Sequence, residues 1–148
     1  MRILIANDDG IYTPRLLALA EVAREFAEVR IYAPDVEQSS MGHAITHSRP
    51  LSLRRTPIRD FEAYRVNGTP ADCVALGVHM WEKVDLVLSG INLGPNLGNA
   101  MWHSGTLAAA KQAALLGLRG IALSTPTAGS EPDFPPIRPY VVRVLELV

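Results

Sequence analysis

The sequence predicts an α/β protein, a mostly parallel sheet with helices on both faces. Ile3-Leu4-Ile5-Ala6, Val29-Arg30-Ile31-Tyr32-Ala33 and Val84-Asp85-Leu86-Val87-Leu88-Ser89 are short, largely aliphatic runs without sustained polar alternation, the pattern of strands buried on both faces. Apolar residues spaced by three and four lie between the strands, so strand and helix alternate along the chain. Polar loops follow the strands, on the side where an open α/β sheet places its ligand crevice.

At 148 residues the chain is long enough for one domain with a sizeable core. Fourteen basic residues against fifteen acidic ones give a formal net charge of -1, which advertises neither a nucleic-acid duplex nor an anionic membrane as partner. The lone Cys73 excludes an internal disulfide and a cysteine-rich metal site, and it suits a reducing compartment. No apolar run approaches the ~20 residues of a membrane span, and no secretory pattern opens the sequence, so the expected location is the cytoplasm. Without such a signal, Asn67-Gly68-Thr69 reads as a turn rather than a glycosylation site.

Strand one ends in Asn7-Asp8-Asp9-Gly10. Leu16, Leu17, Leu19, Ala20, Val22, Ala23 and Phe26 then predict an amphipathic helix from about Pro14 to Phe26, with Thr13 as N-cap. Strand two at 29–33 makes this a right-handed strand-helix-strand unit with parallel pairing. Pro34 to His47 is a long polar loop at the sheet edge that also carries Asp8, and loops of that length in small domains are usually functional. Pro50 to Arg55 and Ala63 to Val66 predict a small β-hairpin excursion whose exposed face carries Arg54, Arg55 and Arg65. Thr69-Pro70-Ala71-Asp72 opens a helix to about Trp81, with Thr69 as N-cap and Asp72 favourable toward the dipole. Its His79 reads as an ordinary histidine of the surface or core. After the strand at 84–89 comes a glycine-rich loop, then a helix opened by Ser104-Gly105-Thr106 and closed by Gly117. Gly120 to Ser124 is a further strand. Thr125 to Pro136, with four prolines, is a loop, and the last helix runs from about Pro139 to Val148.

Chemistry gathers where three loops leave one sheet edge: Asp8 and Asp9 on the first, Ser39 on the second, Asn92 and Asn96 on the third. Two adjacent carboxylates repel each other unless a cation, a shared proton or hydrogen-bond donors answer them. A hard divalent cation fits this set, since all its members offer oxygen, although Asp8 as a helix cap beside a solvated Asp9 is the alternative reading. Relief of the repulsion would make Asp9→Asn more stable than the parent in the metal-free protein. Ser104-Gly105-Thr106 supplies free N–H groups at the positive end of a helix, an anion site that Gly105 would let a phosphate approach closely. Gly90, Gly94 and Gly98 are spaced by four and match neither the dinucleotide fingerprint nor the P-loop.

Five ordered segments carry a specific resemblance: Asn7-Asp8-Asp9-Gly10, Ala33-Pro34-Asp35 with Gln38-Ser39, Gly68-Thr69-Pro70-Ala71-Asp72-Cys73-Val74, Ser89-Gly90-Ile91-Asn92-Leu93-Gly94-Pro95-Asn96 and His103-Ser104-Gly105-Thr106. Together they resemble the SurE family of metal-dependent nucleotidases, across roughly Met1 to Thr125. The resemblance implies a Rossmann-like three-layer α/β/α fold and one Mg2+ or Mn2+ held by Asp8, Asp9, Ser39 and Asn92. It implies phosphate contacts from Asn96, Ser104, Gly105 and Thr106, with Asp8, Asp9 and Asn96 in the catalytic group. The implied reaction is phosphate release from nucleoside 5′-monophosphates, extending to 3′-monophosphates. Ser40 and Val36 depart from the family, which often has glycine and arginine there. A noncatalytic nucleotide-binding module is the alternative, as is a haloacid-dehalogenase-type phosphatase, although glycine at position 10 removes the second Asp that such an enzyme uses. Relatives in this family extend past position 148 and form dimers or tetramers, so a single domain lacking its C-terminal part is expected, with its last helix tending to associate.

Overall fold

Ile3, Leu4, Ile5 and Ala6 are each 0% exposed, and this places their strand at the centre of the sheet. The computed structural model describes residues 1–126 and 130–148. Its elements are β1 (Arg2–Ala6), α1 (Pro14–Ala23), β2 (Glu28–Pro34), β3 (Leu53–Arg55), β4 (Glu62–Val66), α2 (Pro70–Met80), β5 (Leu86–Asn92), α3 (Gly105–Leu115), β6 (Arg119–Ser124) and α4 (Arg138–Glu146), with a 3-10 helix over Gly98–Trp102. The strands form one sheet in the order β3-β4-β2-β1-β5-β6. β1 pairs in parallel with both β2 and β5, while β4 joins β2 and β6 joins β5, also in parallel. Only β3, on β4, is antiparallel among the described strands. The chain builds outward from β1 in one direction and then returns to build outward in the other, so its switch point lies between the carboxyl ends of β1 and β5.

Alternation along β1 divides the core into two layers. Ile3 and Ile5 pack with Leu16, Leu19, Ala20 and Ala23 of α1 and with Val141 and Leu145 of α4. Leu4 and Ala6 face the other way, among Cys73 and Val74 of α2 and Ala109 and Ala113 of α3. The three-layer α/β/α fold is therefore present. Cys73 is buried inside α2 and burial pushes its thiol well up, as a core residue rather than a reactive one. Thr69 and Asp72 make a full capping box at the start of α2, and His79 is exposed.

Several boundaries differ from the sequence reading. α1 stops at Ala23 because the chain tightens there, with Phe26 N–H donating to Ala23 O, although Phe26 still packs against the core. Thr13 occupies the N-cap of α1, but its hydroxyl donates to Gly10 O (3.1 Å) instead of accepting from the helix. The hairpin is the edge of the main sheet, because β4 pairs with β2 from Arg30↔Glu62 to Pro34↔Val66. α4 buries Val141 and Leu145 against the core while Tyr140 and Leu147 stay largely exposed. Part of the expected proline-rich loop, 127–129, lies outside the described residues.

Gly77 sets the distance between α2 and the sheet. A Cβ there would lie 2.4 Å from Leu4 Cδ1 and 2.9 Å from the ring of Tyr32, which is stacked on Tyr64 at 4.8 Å. Alanine would gain roughly 1 kcal/mol of helix propensity, but overpacking a tight layer costs about 1–3 kcal/mol. Gly77→Ala should therefore lower the urea midpoint, by a net loss of up to about 2 kcal/mol. An unchanged or higher midpoint would show slack between the layers.

Candidate active site at the switch point

Asn7, 1% exposed, turns the chain out of β1. Its Oδ1 accepts from Gly10 N–H (3.2 Å), and its Nδ2 donates to Gly10 O (2.9 Å) and Thr13 Oγ1 (3.0 Å). Gly10 has φ +102°, a conformation that favours glycine. With the chain so turned, the two aspartates meet different partners. Asp8 runs to the start of α3, where its Oδ1 accepts from Thr106 Oγ1 at 2.8 Å. Asp9 meets Arg15, whose Nη2 is 3.0 Å from Asp9 Oδ2. Neither carboxylate caps α1.

The other loops are pinned around Asp8. Gln38 N–H donates to Asp8 O (2.7 Å) and Gly42 N–H to His103 O (3.0 Å). Further along the same loop, Thr46 donates through its N–H (2.9 Å) and hydroxyl (2.6 Å) to the Asp72 carboxylate. Thr69 Oγ1 donates to Ala44 O (2.7 Å), so the capping box of α2 also anchors this loop. Asn92 ends β5, with its Nδ2 donating to Gly94 O (2.8 Å). Asn96 Nδ2 donates to Ser124 Oγ at the end of β6 (2.9 Å).

An open pocket of about 350 Å³ results, with Asp8, Ser39, Asn92, Asn96, His103 and Ser104 among its lining residues. Five positions singled out from the sequence thus come together. Ser39 is exposed and its hydroxyl donates to Glu37 (2.5 Å). Asp9, Gly105 and Thr106 do not line the pocket. The last two also meet Asp8. Thr106 is 0% exposed and its hydroxyl donates to Asp8. A Cβ on Gly105 would lie 2.8 Å from Asp8 Cβ and 3.0 Å from Pro70 Cγ, so this glycine admits Asp8 to the helix. Ser104 is the N-cap of α3 and accepts from Leu107 N–H at 3.1 Å.

Arg15 escaped the sequence reading. It is 5% exposed, and besides Asp9 it pairs with Glu131 and donates from Nε to Ile91 O (3.1 Å). A signal was present: Arg15 sits four residues before Leu19 and seven before Val22, within the buried stripe of α1.

Burial raises the Asp8 pKa above the ordinary carboxylate value; the Thr106 hydrogen bond opposes that shift and the Asp9 charge adds to it. Burial works against the Arg15 charge, but Asp9 and Glu131 more than offset it. Asp9 Oδ2 is buried and, despite its ion pair, receives no well-directed hydrogen bond. Among the described residues no three His, Cys, Asp or Glu side chains converge as a metal site, so a cation here would rest on two carboxylates and neutral oxygens. That donor chemistry suits Mg2+ or Mn2+.

A family model described as survival protein SurE matches residues 3–148. The chain belongs to the SurE family. It is 52% identical over 147 residues to the 5′-nucleotidase SurE of Deinococcus radiodurans, covering 97% of this chain and 55% of that protein. It is 54% identical over 137 residues to 5′-nucleotidase SurE 1 of Thermus thermophilus, covering 90% and 55%. The crystal structure of the SurE protein from Aquifex aeolicus superposes with a TM-score of 0.88 at 38% identity, covering all of this chain and 60% of that one. The chain thus spans a little over half the length of these SurE relatives. Among the described residues no helix is long and apolar enough to cross a membrane.

Asp8 and Asp9 should differ in their effect on the metal-free protein. A folded-state pKa above the ordinary value means that Asp8 takes up protons on folding, so its contribution to stability is full at acid pH and is lost as pH rises through the folded pKa. Asp8→Asn should accordingly raise the melting temperature in chelator at neutral pH. Asp9→Asn removes the anion that answers a buried guanidinium and should cost roughly 1.5–3 kcal/mol, the reverse of the gain expected from charge repulsion alone. Melts of both variants in chelator check this, and equal shifts would contradict the separate partners.

Proposed function

We propose that this chain provides the catalytic site of a divalent-metal-dependent phosphomonoester hydrolase that releases phosphate from nucleoside 5′-monophosphates, and from 3′-monophosphates as well. The observation that carries this reading is the pocket that gathers Asp8, Ser39, Asn92 and Asn96 beside the start of α3. Membership of a family whose relatives are named 5′-nucleotidase supports it. Asp8, Asp9, Ser39 and Asn92 would hold the Mg2+ or Mn2+. When bound, such a cation polarises a phosphoryl oxygen and acidifies water. The buried free thiol of Cys73 agrees with work in a reducing cytoplasm.

The chain's own groups divide the remaining work. Asp8 Oδ1 is fixed by Thr106, which leaves Oδ2 to accept a proton from the attacking water. Asn96 lines the pocket and offers an amide donor to the phosphate once it releases Ser124. Ser104 lines it too, at the positive end of α3, where negative charge is favoured. Gly105 and Thr106 would add backbone N–H donors to the phosphate at that end, while the Thr106 hydroxyl holds Asp8.

Phosphate release from a panel of nucleoside monophosphates, with Mg2+ or Mn2+ and with chelator, tests the reading. Asp8→Asn should lower kcat/KM by about 10²-fold or more. Ser104→Ala should weaken substrate affinity by the worth of one neutral hydrogen bond, about 0.5–1.5 kcal/mol. Gly105→Val should damage kcat far more, because the side chain would displace Asp8. Equal kinetics for those two variants would contradict the assigned roles, and chelator-insensitive activity would remove the cation.

A further inference from the structure

Arg15 is unusual in three ways. A cation in the first turn of a helix opposes the helix dipole, a buried guanidinium is costly unless fully answered, and this one lies in the apolar stripe of α1. Its side chain is only 6% exposed. What compensates it is a fork that reaches three segments: Asp9 after β1, Ile91 O near the end of β5, and Glu131 in the segment before α4. Two of those contacts fall at or next to proposed cation ligands, since Asp9 is one and Ile91 immediately precedes Asn92.

We propose that Arg15 is a positioning residue for the cation site, its guanidinium fixing the Asp9 carboxylate and the Ile91–Asn92 strand end at a set spacing across the switch point. The proposal rests on the metal-dependent reading above. Asp9 Oδ2 is buried against Arg15 while the side chain keeps 15% exposure, so the remaining accessible surface lies on its other atoms, Oδ1 among them. A carboxylate held through one oxygen is oriented to present the other, and loss of such an outer partner typically costs 10–100-fold in metal affinity. Electrostatics alone would argue the opposite, because a positive charge beside the site repels a cation. Glu131 answers that objection: paired to the same guanidinium and half exposed, it cancels the charge and leaves Asp8 and Asp9 to attract the metal. Lysine cannot replace this arrangement, since a single ammonium does not span Asp9, Ile91 O and Glu131 with a planar fork.

The test is Mn2+ binding by the purified metal-free protein, read from the electron paramagnetic resonance signal of free Mn2+ well below the melting temperature. Arg15→Lys, which keeps the charge, and Arg15→Met should each bind Mn2+ roughly 10–100-fold more weakly than the parent. Glu131→Gln should weaken binding several-fold. Leu19→Ala, in the core on the same face of α1, is the structural control and should lower the melting temperature without changing Mn2+ affinity. If Arg15→Met does not fold, Arg15→Lys decides. Parent-like or tighter Mn2+ binding by folded Arg15→Lys would overturn the positioning role alone. Absence of Mn2+ binding by the parent would overturn the metal-dependent reading, and this proposal with it.

Discussion

Asp8 is an ionisable side chain, 6% exposed, set beside a second carboxylate, and burying it unanswered would cost several kcal/mol. The start of α3 supplies the answer. Thr106 donates its hydroxyl to Asp8, the positive end of the helix faces the charge, and the missing side chain of Gly105 lets the two elements close. For that to happen, β1 must end at a fixed height and α3 must begin at the same height across the sheet. The doubly buried β1 and the parallel β1–β5 pairing provide this, with Ala6 opposite Ser89. A core dominated by aliphatic residues on both faces of β1 thus exists in the service of one polar contact at its end.

The second carboxylate follows different physics. Asp9 is answered by a buried cation, so the pair of aspartates does not share one compensation but has two, one a neutral donor and one a charge. This asymmetry leaves Asp8 facing the pocket with a raised pKa, while Asp9 is held to the side. The loop from Pro34 to His47 closes the remaining wall without regular structure of its own. It is tied down by Asp8 O, His103 O and the Asp72 carboxylate, so the residue that caps α2 also shapes the mouth of the site.

Most of the framework was legible in the sequence because it is encoded locally. Aliphatic runs gave the strands, Thr69-Pro70-Ala71-Asp72 gave a helix start with its cap, and five short segments identified the family. Spatial convergence of Asp8, Ser39, Asn92, Asn96 and Ser104 was also expected, since all sit at carboxyl ends of parallel strands or at a helix start. What was not legible depends on contacts between distant residues. Nothing local in the segment at Thr106 says that a carboxylate 98 positions earlier also meets this helix start. Arg15 escaped because its partners lie as far as 116 positions away, and β4 joined the main sheet through β2 rather than standing apart as its hairpin pattern suggested.

The central claim is that this switch point takes one hard divalent cation between Asp8, Asp9, Ser39 and Asn92. Anomalous diffraction at the manganese edge from crystals of the protein grown with Mn2+ tests it most directly. The account predicts a single strong peak within coordination distance of Asp8 and Asp9, with oxygens of Ser39 and Asn92 or water completing the shell. Density without a peak there, or a peak only at surface carboxylates elsewhere, would contradict it.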